Sequence, residues 1–130
     1  NIDLPGYDFI HTPTKSFFGG VGLYISTDLN YTLRNDLSKS IYNIGESIFI
    51  EVSGKSNKLL VGCMYRHPSP KITSFNENFL HELLPMVSAE KTTKCAIMGD
   101  LNADLLKIDT HSETCDFYEL MSSFGFNQLE

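Results

Sequence analysis

Apolar residues recur along this chain with two periods, and the change from one to the other organises it. In the first half the period is two. Val21, Leu23 and Ile25 alternate with Gly22, Tyr24 and Ser26, the signature of a half-buried strand. Ile48, Ile50 and Val52 alternate with Phe49 and Glu51 in the same way. The polar stretch Ser53 to Lys58, with Gly54 in it, then turns the chain back into Leu59 to Tyr65, so these two runs predict an antiparallel hairpin. Shorter β-prone runs lie at Tyr7 to His11 and Tyr31 to Leu33. Gly22, inside a strand, implies that another backbone or a side chain lies close over it.

After Pro68 and Pro70 the period lengthens. Phe75, Phe79, Leu80, Leu83, Leu84 and Val87 fall on one helical face. Ser74 and Glu77 have capping-box spacing, which places the helix start at Ser74, and Pro85 is expected to end or kink its last turn. Cys95 to Met98 is a continuous apolar run, read as a strand buried on both faces, and Gly99 breaks it. A polar loop to about Thr114 is expected next. A second helix then carries Phe117, Leu120, Met121 and Phe124, with Gly125 as its C-terminal cap. Asn127 to Glu130 reads as the start of a further strand. Strands with hairpin connections, followed by strand–helix alternation, predict an α+β or α/β layered domain with a mixed sheet.

Length and composition keep this picture to one domain. The 130 residues suffice to bury roughly two thirds of the unfolded surface, and 42% apolar with 20% charged content argues against disorder. No apolar run approaches the ~18 residues of a membrane span, so no membrane partner is expected. Cys63, Cys95 and Cys115 show no CxxC spacing and read as buried reduced thiols, which points to an intracellular protein, nuclear or cytoplasmic. The net charge of −6 does not favour nonspecific nucleic-acid binding.

The chemistry-bearing stretch is KCAIMGDLN, Lys94 to Asn102. A strand that ends in a carboxylate and a carboxamide two residues apart would set Asp100 and Asn102 on one side of a sheet rim, with Leu101 in the core. The bland alternative is that Asp100 caps a turn and Asn102 takes a left-handed conformation. Tyr65 and Arg66 could offer a phenol and a cation to a phosphate, or simply be an edge tyrosine and a solvated arginine. Asp104 reads as a loop carboxylate, and Gly19 and Gly20 as turn glycines. His11, His67, His81 and His111 share no metal-ligand spacing.

Six segments in order carry a resemblance: GYDFIHTPTK (Gly6 to Lys15), GGVGLYIS (Gly19 to Ser26), ESIFIEV (Glu46 to Val52), VGCMYRHP (Val61 to Pro68), IMGDLNADLL (Ile97 to Leu106) and FYELMSSFGFNQL (Phe117 to Leu129). Together they resemble the endonuclease domain of non-LTR retrotransposons of the chicken-repeat and Jockey type. Those domains belong to the endonuclease/exonuclease/phosphatase superfamily. The resemblance implies a partial four-layer α/β sandwich of the DNase I-like kind, α+β in class. It also implies Mg²⁺-dependent (or Mn²⁺-dependent) hydrolysis of a DNA phosphodiester, with a reverse transcriptase domain downstream in the same polyprotein. By the same resemblance Asp100 orients or deprotonates the attacking water, Asn102 hydrogen-bonds the phosphate, and Tyr65 lies near the scissile phosphate. Asp100 and Asn102 are then also the metal-side residues of this stretch.

The chain departs from the family pattern at Pro68, where relatives often carry asparagine. The family's metal-binding glutamate is expected before Asn1 and its Ser-Asp-His motif beyond Glu130. The chain is therefore expected to be a piece of the domain, monomeric and inactive by itself. Two alternatives stand beside this: another phosphoesterase of the superfamily, and a non-catalytic remnant that serves only as a folded or binding module.

Overall fold

The computed structural model describes residues 3–68, 70–90 and 94–129. Among the described residues seven strands form two sheets. β1 (Tyr7–Thr12) and β2 (Val21–Ser26) make an antiparallel pair of their own. β3 (Asn30–Leu33), β4 (Ser40–Ile41), β5 (Gly45–Ser53), β6 (Lys58–Arg66) and β7 (Lys94–Asp100) make the larger sheet, in the order β3-β5-β6-β7 with β4 also on β5. All its pairings are antiparallel except β6 with β7. The sheet is mixed, as its alternating pattern and later strand–helix alternation imply.

One face of this sheet meets the helices. Phe49, Leu60 and Met64 pack with Leu37, Phe75, Phe79, Leu80, Leu83, Leu84, Val87 and Phe117 into a single core. Sealing that face removes Phe49, Phe75, Phe79 and Phe117 from water, at about 25 cal/mol per Å². Strand alternation sends Ile48 and Ile50 to the opposite face, where β2 and its Val21 and Ile25 lie. β5 is thus covered on both sides, which is why Phe49 and Ile48 are equally buried.

The helical segment begins earlier than its capping-box spacing suggests. α1 (Ile72–Phe75) starts after Lys71, with no side chain capping it, and continues through a π-turn, Asn76–Leu80, into α2 (His81–Ser88). Ser74 and Glu77 lie inside the helix rather than at its end. Pro85 neither ends nor visibly interrupts α2, which runs three residues further, with Ala89 N–H bonded to the Pro85 carbonyl. A proline costs one intrahelical bond, and here the buried face of Leu83, Leu84 and Val87 outweighs that loss.

The connection after β7 is also more ordered than a polar loop. It holds a short 3₁₀ turn, Leu105–Lys107, and α3 (Ser112–Ser123) starts before Thr114, its first turn closed by the Thr114 N–H donating to His111 Nδ1. α3 ends as its sequence implies. Gly125, at φ +84°, lets its own N–H reach Ser122 and the Phe126 N–H reach Met121. Asn127 to Leu129 forms no strand, and Glu130 lies outside the described residues. Gly22 lies under the ring of Phe9, the close approach expected of it. No helix among the described residues is long and apolar enough to cross a membrane.

β7 departs most from its sequence reading. Cys95, Ala96 and Ile97 are only half-buried and Met98 is 52% exposed. β7 stands at the end of the strand order, and the β1–β2 pair contacts β5 and β6 instead. An apolar run reports that a strand is compatible with burial, not that neighbours cover both faces. The three thiols are accordingly half-buried and free, not fully buried. Burial still raises the pKa of Cys63, and it pushes the Cys95 thiol up to about 11.

Candidate active site

The register of the large sheet brings three polar side chains into one row. Glu46 on β5 opposes Tyr65 on β6, and Tyr65 opposes Asp100 on β7. Directly opposed residues project to the same face, so carboxylate, phenol and carboxylate lie side by side across three strands. Burial grades steeply along the row: Glu46 is fully buried, Tyr65 half-buried and Asp100 exposed.

Gly99 lets β7 deliver Asp100 there. Its φ is +142°, and a Cβ would lie 1.8 Å from the Met64 carbonyl oxygen. Only glycine tolerates both that conformation and that approach. Beyond Asp100 the strand stops. The Asn102 N–H donates to Asp100 Oδ1 at 3.1 Å, and Asn102 sits in the left-handed region at φ +48°. Locally, the turn reading of Gly-Asp-x-Asn is what the backbone adopts. The turn leaves Asp100 Oδ2 and Asn102 Oδ1 without a hydrogen bond among the described residues, while Asn102 Nδ2 donates to the Arg66 carbonyl at 2.7 Å. Leu101 is half-buried and packs on the core. Asp104 accepts from the Leu106 N–H and caps the 3₁₀ turn, as a loop carboxylate would.

Arg66 fits neither sequence reading. It is 6% exposed, and its guanidinium donates to the carbonyls of Leu101 (2.7 Å), Asn102 (2.5 Å), His67 (3.2 Å) and Pro70 (2.9 Å). Its donors are directed at main-chain oxygens, so it clasps the rim loop from beneath instead of reaching outward. Burial pushes its pKa down, opposed chiefly by the nearby carboxylates of Asp100 and Glu113.

Sequence reasoning missed the residues at the buried end of the row. The Glu46 carboxylate accepts from Thr14 Oγ1, from the Gly20 N–H at 3.2 Å, and from His67 Nε2 at 3.1 Å. His67 is 5% exposed, and its ring meets the Tyr65 ring edge-on at 4.8 Å. Gly19 closes the other side: a Cβ there would stand 2.8 Å from Tyr65 Cε1 and 2.9 Å from His67 Cε1. A groove of about 590 Å³ lies beyond Gly19 and Gly20, lined also by Phe9, His11 and Tyr24.

The fit of a divalent cation can be judged from the donors. Among the described residues no three His, Cys, Asp or Glu side chains converge on one point. Mg²⁺ takes six oxygens in near-octahedral order, some of them water. Asp100 and Asn102 could at most supply part of such a shell, and the described side chains do not complete it.

No protein-family model and no curated protein matches the chain by sequence. Among solved structures, the fold is similar to one described as the "Endonuclease domain of TRAS1, a telomere-specific non-LTR retrotransposon". The TM-score is 0.67 at 13% identity, over 94% of this chain and 54% of that one. The chain therefore has the fold of a non-LTR retrotransposon endonuclease domain, the same type its ordered motifs resemble, and spans about half the length of that solved domain.

Proposed function

We propose that this chain forms part of a DNA endonuclease, with Tyr65, Asp100 and Asn102 as its phosphate-facing rim. The observation that carries the reading is the cross-strand row in which Tyr65 and Asp100 share a face, with Asp100 exposed and one oxygen uncommitted. Phosphodiester hydrolysis needs an oriented water and donors for the non-bridging oxygens. The Asp100 carboxylate is the group that would hold that water and take its proton. The Tyr65 hydroxyl would donate to a phosphate oxygen. Asn102, held by its bond to the Arg66 carbonyl and by its N–H to Asp100 Oδ1, would offer its Oδ1 to the same phosphate or its metal.

Mg²⁺, or Mn²⁺ in its place, would add charge compensation when bound, with the substrate phosphate and further ligands completing its shell. Since the described side chains do not form that shell, the chain alone is expected not to nick DNA. The reverse transcriptase expected alongside such a domain is part of this proposal. A second reading, a folded binding module without catalysis, is favoured by the same shortage of converging carboxylates.

The test is amide NMR of the chain titrated with a short DNA duplex in about 10 mM Mg²⁺, above the ~1 mM at which weak divalent sites fill. Perturbations concentrated at Tyr65, Asp100, Asn102 and Ala103 are expected. Perturbations confined to α2 and α3, or none at duplex concentrations of about 1 mM, would count against the nuclease reading.

A further inference from the structure

We propose that Glu46 is a positioning residue for Tyr65, acting through His67 and the Gly19–Gly20 bend. The proposal rests on Tyr65 belonging to the reactive rim. Its mechanical part stands on the packing alone.

Glu46 occupies an unusual place for a carboxylate. It is fully buried at the start of a strand whose next same-face positions, Ile48 and Ile50, are buried and apolar. Burying a carboxylate is costly unless donors replace its water, whereas an apolar side chain would cover this face without that cost. Three donors replace the water here, and they come from two separate segments. Thr14 Oγ1–H and the Gly20 N–H belong to the β1–β2 connection, and the His67 imidazole follows β6.

Both segments touch the same ring. His67 meets Tyr65 edge-on, and the Gly19 backbone lies against Tyr65 Cε1. The Tyr65 hydroxyl makes no hydrogen bond among the described residues, so packing alone aims it. One carboxylate therefore pins both walls of the slot that holds the phenol. The outer side of the connection is tied down separately: the Lys15 N–H donates to Ser40 Oγ at 3.1 Å and the Asn43 N–H to Ser16 Oγ at 2.8 Å. Those bonds fix the arch without reaching Tyr65, and of the side chains that bond the arch Glu46 is the one that also holds His67.

The experiment is NMR on the chain labelled at tyrosine and phenylalanine rings, with Glu46→Gln and Glu46→Ala. Glu46→Gln keeps the volume and loses one of two acceptor oxygens. The expected result is loss or weakening of the Tyr65–Gly19 and Tyr65–His67 ring contacts, and Gly20 amide exchange faster by about tenfold. Phe49 and Phe79 ring signals should stay unchanged, which a merely structural role would not spare. If Glu46→Ala unfolds, Glu46→Gln and Thr14→Val decide. Tyr65 contacts and Gly20 exchange that match the unmodified chain in the folded variants would overturn the proposal. Failure of the nuclease reading would appear elsewhere, as unperturbed Asp100 and Asn102 amides with duplex DNA, so the two failures are separable.

Discussion

Glu46 and Asp100 are two carboxylates in one cross-strand row, separated by a single tyrosine, yet their surroundings are opposite. Glu46 is fully buried and meets three donors from elsewhere in the fold. Asp100 is exposed and spends one oxygen on its own turn. The difference teaches that position in the sheet decides what a carboxylate can do. Between covered strands it is consumed by structure, and at an open edge it stays available to a ligand. Tyr65 lies where the two regimes meet.

The largest way to break this contrast is to misalign the row itself. Gly99→Ala places a Cβ against the Met64 carbonyl at φ +142°, so β7 must leave its register. A loss of about 4 kcal/mol or more is expected, read as a shift in the urea midpoint. Next comes the buried end. Glu46→Ala leaves His67, Thr14 and the Gly20 N–H without their acceptor and should cost about 3 kcal/mol in the same measurement.

The exposed end should behave otherwise. Asp100→Ala removes one bond to the Asn102 N–H and should lower stability by about 1 kcal/mol or less. A loss as large as that of Glu46→Ala would mean that the exposed carboxylate is structural too. Asp36 calibrates the lower limit. Its carboxyl is exposed and held below its ordinary pKa chiefly by the Arg34 side-chain hydrogen bond. A depressed carboxylate stabilises the fold above its unfolded pKa, and that stability is lost as pH falls through the folded value. Asp36→Asn should therefore cost about 0.5 kcal/mol near neutral pH, and the difference should shrink as pH falls through the lowered folded-state value and be gone in stronger acid.

The hairpin of β5 and β6, the strands β1 and β2 taken singly and the Gly125 cap were legible because each follows from local periodicity or from one residue's conformation. Given the hairpin turn at 54–57, the pairing of Glu46 with Tyr65 was also within reach, and a lone acid heading an apolar strand was the signal for it. His67 was not legible, since nothing near it in sequence indicates a carboxylate from 21 residues away. Arg66 shows the same limit: two of its four carbonyl partners lie in a loop 35 and 36 residues on, and residue type alone suggested an outward cation. The partial exposure of β7 was hidden for a different reason, because an apolar run carries no record of which faces its neighbours cover.

The most direct test of the proposed rim is nicking of supercoiled plasmid in Mg²⁺ by a chimeric domain. In it, residues 3–129 replace the matching half of the TRAS1 endonuclease domain, which supplies the rest. The expected result is open-circle product that falls at least about 100-fold in Asp100→Ala while the variant stays folded, the scale of losing one group that acts on the reacting atoms. Undiminished nicking by Asp100→Ala, or none from a folded chimera carrying Asp100, Asn102 and Tyr65 intact, would contradict it.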